Sequence, residues 1–197
     1  KNLIDAAAAG ASDGMKLAIN IAAMLLAFVA LTAMVNYIIG WFGYLHLSSY
    51  QSLNMMLNEG VVDAAQHKVR LNLGLILGYV LAPIAWVIGI EWNDAVIAGG
   101  LIGQKVVLNE FIAYLQLSQT PVGDGPGAIS ENSRLILTYA LCGFANFASI
   151  AIQIGGIGGL APERRGDLAR FGMRAVLGGS IATLMTATIA GVLIHLR

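Results

Sequence analysis

The chain has 197 residues, 57% of them hydrophobic and only 11% charged, with a mean hydropathy of +0.75. A soluble domain is nearer a quarter charged, so the composition points to the membrane class. Eleven basic and eleven acidic side chains leave a net charge of zero, which gives nucleic acid or an acidic surface no reason to bind.

The lone cysteine, Cys142, lies in an apolar run, forms no internal disulfide and reads as a small buried hydrophobe. No basic stretch followed by a short apolar core and cleavage site opens the chain, so no signal peptide is expected. With no Met at its start and an opening in mid-helix, the chain reads as a fragment and is expected to belong to a longer protein.

Lys1–Gly14 is Ala-rich, with Asp5 and Asp13, and is expected to form a short helix at a membrane or protein surface. Leu17–Trp41 has no charge and few polar groups (Asn20, Thr32, Asn36), enough for a first spanning helix ending at Gly40–Gly43. Phe42–Arg70 turns polar, holds His46 and His67, and reads as an interfacial loop with some helix. Leu71–Ile90 admits two readings. Its twenty uncharged residues could span, but Pro83, Gly74, Gly78 and Gly89 weaken the helix. A kinked helix along the membrane face fits equally well.

Glu91–Leu117 comes next. Its arms, Ala95–Ile102 and Phe111–Leu117, are largely apolar, but each is far shorter than the roughly 20 residues a crossing takes. Between them Gly103–Tyr114, GQKVVLNEFIAY, carries Lys105, Asn109 and Glu110. Two short helices meeting in a polar tip are tolerated in a membrane only where the tip is buried in protein or lines a watery cavity. The expectation is a re-entrant hairpin whose intramembrane charge is functional. The alternative is that Lys105 and Glu110 merely neutralise each other.

Ser118–Ser130 is a loop with Pro121 and Pro126. Leu135–Pro162 is an uncharged span whose second part Gly155, Gly156, Gly158 and Gly159 weaken. Glu163–Arg174 reads as a short loop with Arg164, Arg165, Arg170 and Arg174, and Ala175–Leu196 as a final span. Lysine and arginine at the span ends place the arginine loop in the cytoplasm, which leaves the C-terminus outside and the hairpin dipping in from outside.

Asn146 and Ser149, three apart, share a helical face flanked by Phe144 and Phe147. An amide and a hydroxyl beside an aromatic suit a ligand rich in hydroxyls. On these residues alone, hydrogen bonding to a neighbouring helix is the commoner use. Gln153 is assigned to packing, and Trp41, Trp86 and Trp92 to interfacial anchoring. No His, Cys and carboxylate set has metal-ligand spacing and no Ser–His–Asp set lies within the apolar segments, so neither an enzyme nor a cofactor is expected.

Gly103–Tyr114 fits G-x-K-x-x-x-N-E-F-x-A-Y at all seven fixed positions, and in this it resembles the concentrative nucleoside transporters. CGFANFASIAIQIGG, EWNDAVIAGGLIGQK and TATIAG are similar too, so the likeness covers nearly the whole chain. It implies an all-α membrane protein with spanning helices, a re-entrant helical hairpin and a broken core helix. Together these form one inverted repeat of a transporter fold, the C-terminal half of a bacterial member. Residues 1–70 would form a surface helix, first scaffold span and outside loop, 71–90 an interfacial helix and 91–118 the hairpin. Residues 130–162 would form the broken core span and 175–196 the last span.

The implied function is cation-coupled symport of nucleosides such as uridine by a homotrimer in the cell inner membrane, driven by sodium or protons. Glu110, Asn146 and Ser149 would hold the ribose, Phe144 would pack near sugar and base, and Asn109 and Lys105 would brace the tip. No metal site is implied in this chain; the companion hairpin and the cation site would belong to the N-terminal half of the same protein. The competing reading is a structural membrane subunit whose polar groups pair among themselves.

Overall fold

The computed structural model describes residues 2–42, 46–48, 51–52, 71–125 and 127–196. Its first element, α1 (Leu3–Phe42), is a single helix of 40 residues. The surface helix and the first span are therefore continuous. Gly10 and Gly14 have open surroundings, and the Ala, Leu and Met around them are strong helix formers. β1 (His46–Ser48) and β2 (Gln51–Ser52) make a small antiparallel pair. The rest of the loop expected over Phe42–Arg70, His67 included, lies outside the described residues.

α2 (Leu73–Val87) has 15 residues. At 1.5 Å per residue it is about 22 Å long, short of the roughly 30 Å hydrocarbon core. Two amides start it. The Asn72 side chain accepts from the Leu75 N–H and Asn36 of α1 from the Leu73 N–H, both at 2.8 Å. The helix runs through Pro83 and stops at Gly89, whose φ of 104° favours a residue without a Cβ.

A 3₁₀ turn, Trp92–Asp94, leads into α3 (Ala95–Val107), and only Leu108 and Asn109 separate that helix from α4 (Glu110–Gln119). α2 and α3 pack backbone to backbone. A Cβ on Gly99 would lie 2.5 Å from the Gly78 carbonyl oxygen, and one on Gly78 would lie 2.6 Å from that of Val96. Small residues at such a contact are how helices associate where lipid supplies no hydrophobic drive.

After the loop come α5 (Glu131–Leu141) and α6 (Phe147–Leu160), with Cys142–Asn146 unwound between them. The break in this core segment thus precedes the glycine-rich part, which is helical. A 3₁₀ turn, Pro162–Arg164, then enters α7 (Arg165–His195). The arginine-bearing stretch expected to be a loop is the start of this helix, because Leu168, Ala169 and Met173 among its arginines all favour helix. With its preceding turn, Pro162–Ile194 is long and apolar enough to cross a membrane.

The core is built around α3. Ala98, Leu101 and Ile102 meet Ala82 and Ala85 of α2, Ala113 and Leu117 of α4, and Ile136, Leu137, Ala140 and Leu141 of α5. Ala187 of α7 closes the cluster. Buried Ile129 pins the end of the loop before α5. The Asp94 carboxylate accepts from the Ser130 N–H at 2.9 Å, joining that loop to the start of α3.

Candidate functional site

Two helices begin at one place. Asn109 is the N-cap of α4, its side chain accepting from the Ile112 N–H at 2.9 Å. Asn146 precedes α6, and its Oδ1 accepts from the Ser149 N–H at 2.7 Å, the bond an N-cap makes to the third helical residue. The two ends are joined by the Asn146 Nδ2, which donates to Oε2 of Glu110 at 3.4 Å. Glu110, first residue of α4, therefore presents its carboxylate between two helix N-termini, the electropositive ends that favour an anion.

Asn146 and Ser149 do come together, but not as two side chains on a helical face. Asn146 lies outside the helix, 2% exposed. The Ser149 hydroxyl folds back on the unwound segment, 2.6 Å from the Phe144 carbonyl oxygen and 2.8 Å from the Asn146 Oδ1. Among the described residues the second Glu110 oxygen has no hydrogen-bond partner, and one Asn146 amide hydrogen is left over. That is an acceptor and a donor side by side in a half-buried position. Phe144 is 73% exposed, its ring uncovered beside them.

Lys105, in the last turn of α3, is 1% exposed and, among the described residues, the largest fully buried side chain. Its ammonium is placed where a helix C-terminus favours a cation. Among the described residues no ion pair joins Lys105 to Glu110.

The other fixed positions of the motif have visible jobs. A Cβ on Gly103 would lie 2.5 Å from that of Leu77, Ala113 is fully buried, and the Tyr114 hydroxyl donates to the Thr138 carbonyl oxygen at 2.6 Å. Phe111 is exposed.

Cys142 is exposed rather than buried, because it caps α5 where the chain unwinds. Gln153 is exposed as well and lines a groove of about 460 Å³ between α6 and α7. Phe144, Ser149 and Ile150 form one wall of that groove, Phe171 and Val176 the other. Sequence reasoning missed Asp94 and Tyr114. Asp94 carried a signal, a carboxylate directly before the apolar arm Ala95–Ile102.

The sequence profile described as Na+ dependent nucleoside transporter C-terminus matches residues 1–191. The chain is 50% identical over 194 residues to the uncharacterized transporter YutK of Bacillus subtilis (strain 168), across 98% of this chain and 42% of that protein. It is 43% identical over 197 residues to the nucleoside permease NupC of Helicobacter pylori, across 100% of this chain and 42% of that protein. A solved structure described as CNTnw in an inward-facing substrate-bound state is similar with a TM-score of 0.73 at 45% identity, covering 100% of this chain and 43% of that one. The chain therefore spans about two fifths of the length of these relatives, which are transporters and permeases rather than enzymes.

Proposed function

Because the chain belongs to the Na+-dependent nucleoside transporter family, as the C-terminal part of its longer members, we propose that it supplies the ribose-binding half of a cation-coupled nucleoside symporter. One observation carries the reading: Glu110 offers an unpartnered carboxylate oxygen where two capped helix starts converge. A sugar hydroxyl donating to that oxygen forms a charge-assisted bond, and the spare Asn146 amide hydrogen reaches a neighbouring hydroxyl. Exposed Phe144 covers the apolar face of sugar or base. Asn109 and Lys105 position the tip, the first by capping α4 and the second by offsetting charge from within α3. Ser149 holds the Asn146 amide in place and lends a lone pair to the ligand.

In this reading α3 and α4 form the re-entrant hairpin and α5–α6 the broken core span of one inverted repeat. α1 is the scaffold helix of a homotrimer in the inner membrane, and the arginine-rich start of α7 is cytoplasmic, leaving the C-terminus outside. The coupling ion, sodium or a proton, binds in the N-terminal half. Mutual neutralisation of Lys105 and Glu110 would need an ion pair between them, and among the described residues they form none.

The test is Glu110→Gln in the full-length transporter reconstituted in liposomes. Uridine uptake is abolished while expression and assembly stay intact. Uptake close to the parent's ends the proposal.

A further inference from the structure

Four arginines stand at the entry to α7, Arg164 in the preceding turn and Arg165, Arg170 and Arg174 in the helix itself, and their partners differ. Arg164 is paired with Asp167 at 2.9 Å. Among the described residues Arg170 and Arg174 have no ion pair; both guanidiniums lie against the Phe171 ring, 5.9 and 6.0 Å from its centroid. Glu163 and Asp167 are the acidic side chains of the same region, and Asp167 is already engaged. Four arginines against these two acids leave two positive charges in excess at the start of a helix long enough to cross a membrane.

The face these two arginines occupy continues down the helix as an apolar stripe. Arg170, Arg174, Leu177 and Ile181 are separated by four, three and four residues, so they fall on one face, and Met185 is a turn further on. All five are exposed; Leu177, Ile181 and Met185 are 60%, 59% and 61% accessible. The opposite face, with Val176, Thr183 and Ala187, is buried against the rest of the chain. From Arg174 to Met185 the helix rises about 16 Å, close to half of a roughly 30 Å hydrocarbon core. The exposed face is thus cationic at the headgroup level and apolar over the depth of one leaflet.

We propose that this face of α7 is a binding site for an anionic phospholipid, its phosphate taken by Arg170 and Arg174 and an acyl chain lying along Leu177, Ile181 and Met185. Guanidinium matches phosphate geometry through paired N–H donors, which an ammonium does not. The cation–π contacts with Phe171 hold both groups at the interface before the lipid arrives. The net positive charge selects an anionic headgroup over a zwitterionic one.

The experiment is native mass spectrometry of the delipidated full-length protein in detergent, titrated with phosphatidylglycerol or phosphatidylcholine. Phosphatidylglycerol binds in preference. The Arg170→Gln, Arg174→Gln double variant weakens that binding about thirty-fold, from two charges at a headgroup surface, with an unchanged circular dichroism spectrum. Should the double variant not be recovered, Arg174→Gln alone carries the test with about a five-fold loss. Equal binding of the two lipids, unaltered phosphatidylglycerol binding by the variant, or ready displacement by glycerol phosphate overturns the proposal.

Discussion

Asn146 combines two jobs that substitution can separate. Its Oδ1 caps α6 by accepting from the Ser149 N–H at 2.7 Å, while its Nδ2 bridges to Glu110 at 3.4 Å. Asn146→Ala removes both. Loss of the cap, which strands the Ser149 N–H, costs about 1–2 kcal/mol. Serine caps a helix about as well as asparagine but has no amide, so Asn146→Ser should stay within roughly 0.5 kcal/mol of the parent in stability. It does lose the donor offered to the ligand, worth about 1 kcal/mol, or roughly five- to ten-fold in affinity. The assay is a pair of measurements on the full-length protein, thermal unfolding by intrinsic fluorescence and equilibrium binding of radiolabelled uridine. Alanine should lower both stability and affinity, and serine affinity alone. If the serine variant binds uridine as tightly as the parent, or unfolds as early as the alanine variant, the division of labour assigned to this side chain is wrong.

Gly99→Ala places a methyl group 2.5 Å from the Gly78 carbonyl oxygen and 2.9 Å from the Ala82 nitrogen, backbone atoms that cannot swing aside. It should cost about 3 kcal/mol by thermal unfolding, and a variant as stable as the parent would contradict the α2–α3 packing. Asp94→Ala removes the acceptor for the Ser130 N–H, and by the scale of a charge-assisted bond should destabilise by about 2 kcal/mol; limited proteolysis at the Gly123–Gly127 loop reports it, and an unchanged cleavage rate counts against that anchor. The Gln104 Oε1 is buried with no partner among the described residues, in a cavity of about 210 Å³ shared with Thr32, Asn36, Asn72 and Gln116. Gln104→Met should leave the unfolding temperature unchanged or raised, since an unpaired buried acceptor is lost; a clear drop would mean that the oxygen is satisfied in the membrane.

How much of the fold and site is legible in the sequence depends on how far apart the interacting residues lie. The helix break at Leu108–Asn109 is readable because a polar cluster interrupts two apolar arms too short to span, all within one stretch of chain. Asn109 as a cap is equally local, three residues from the N–H it accepts. The break in the core segment is not where propensity puts it. Glycine's low helix propensity points to Gly155–Gly159, whereas the chain unwinds at Cys142–Asn146, where the cap by Asn146 and the packing of Gly143 against Thr183 of α7 set the end. The expected joint between surface helix and first span is absent for a similar reason, since a glycine in open surroundings weakens a helix without ending it.

Composition and spacing alone determined the membrane class, the positions of the apolar segments and the twelve-residue motif with its acid, because each depends on residues close together in the chain. Tertiary structure decided which groups meet: Asn146 with Glu110 and Asp94 with Ser130 across 36 residues, and Asn36 with the start of α2 across 37. It also turned Asn146 from a helix-face residue into a cap and exposed Cys142. A one-dimensional pattern records what a segment tends to become; which polar group satisfies which buried partner depends on how the finished helices pack, and packing is set by the chain as a whole.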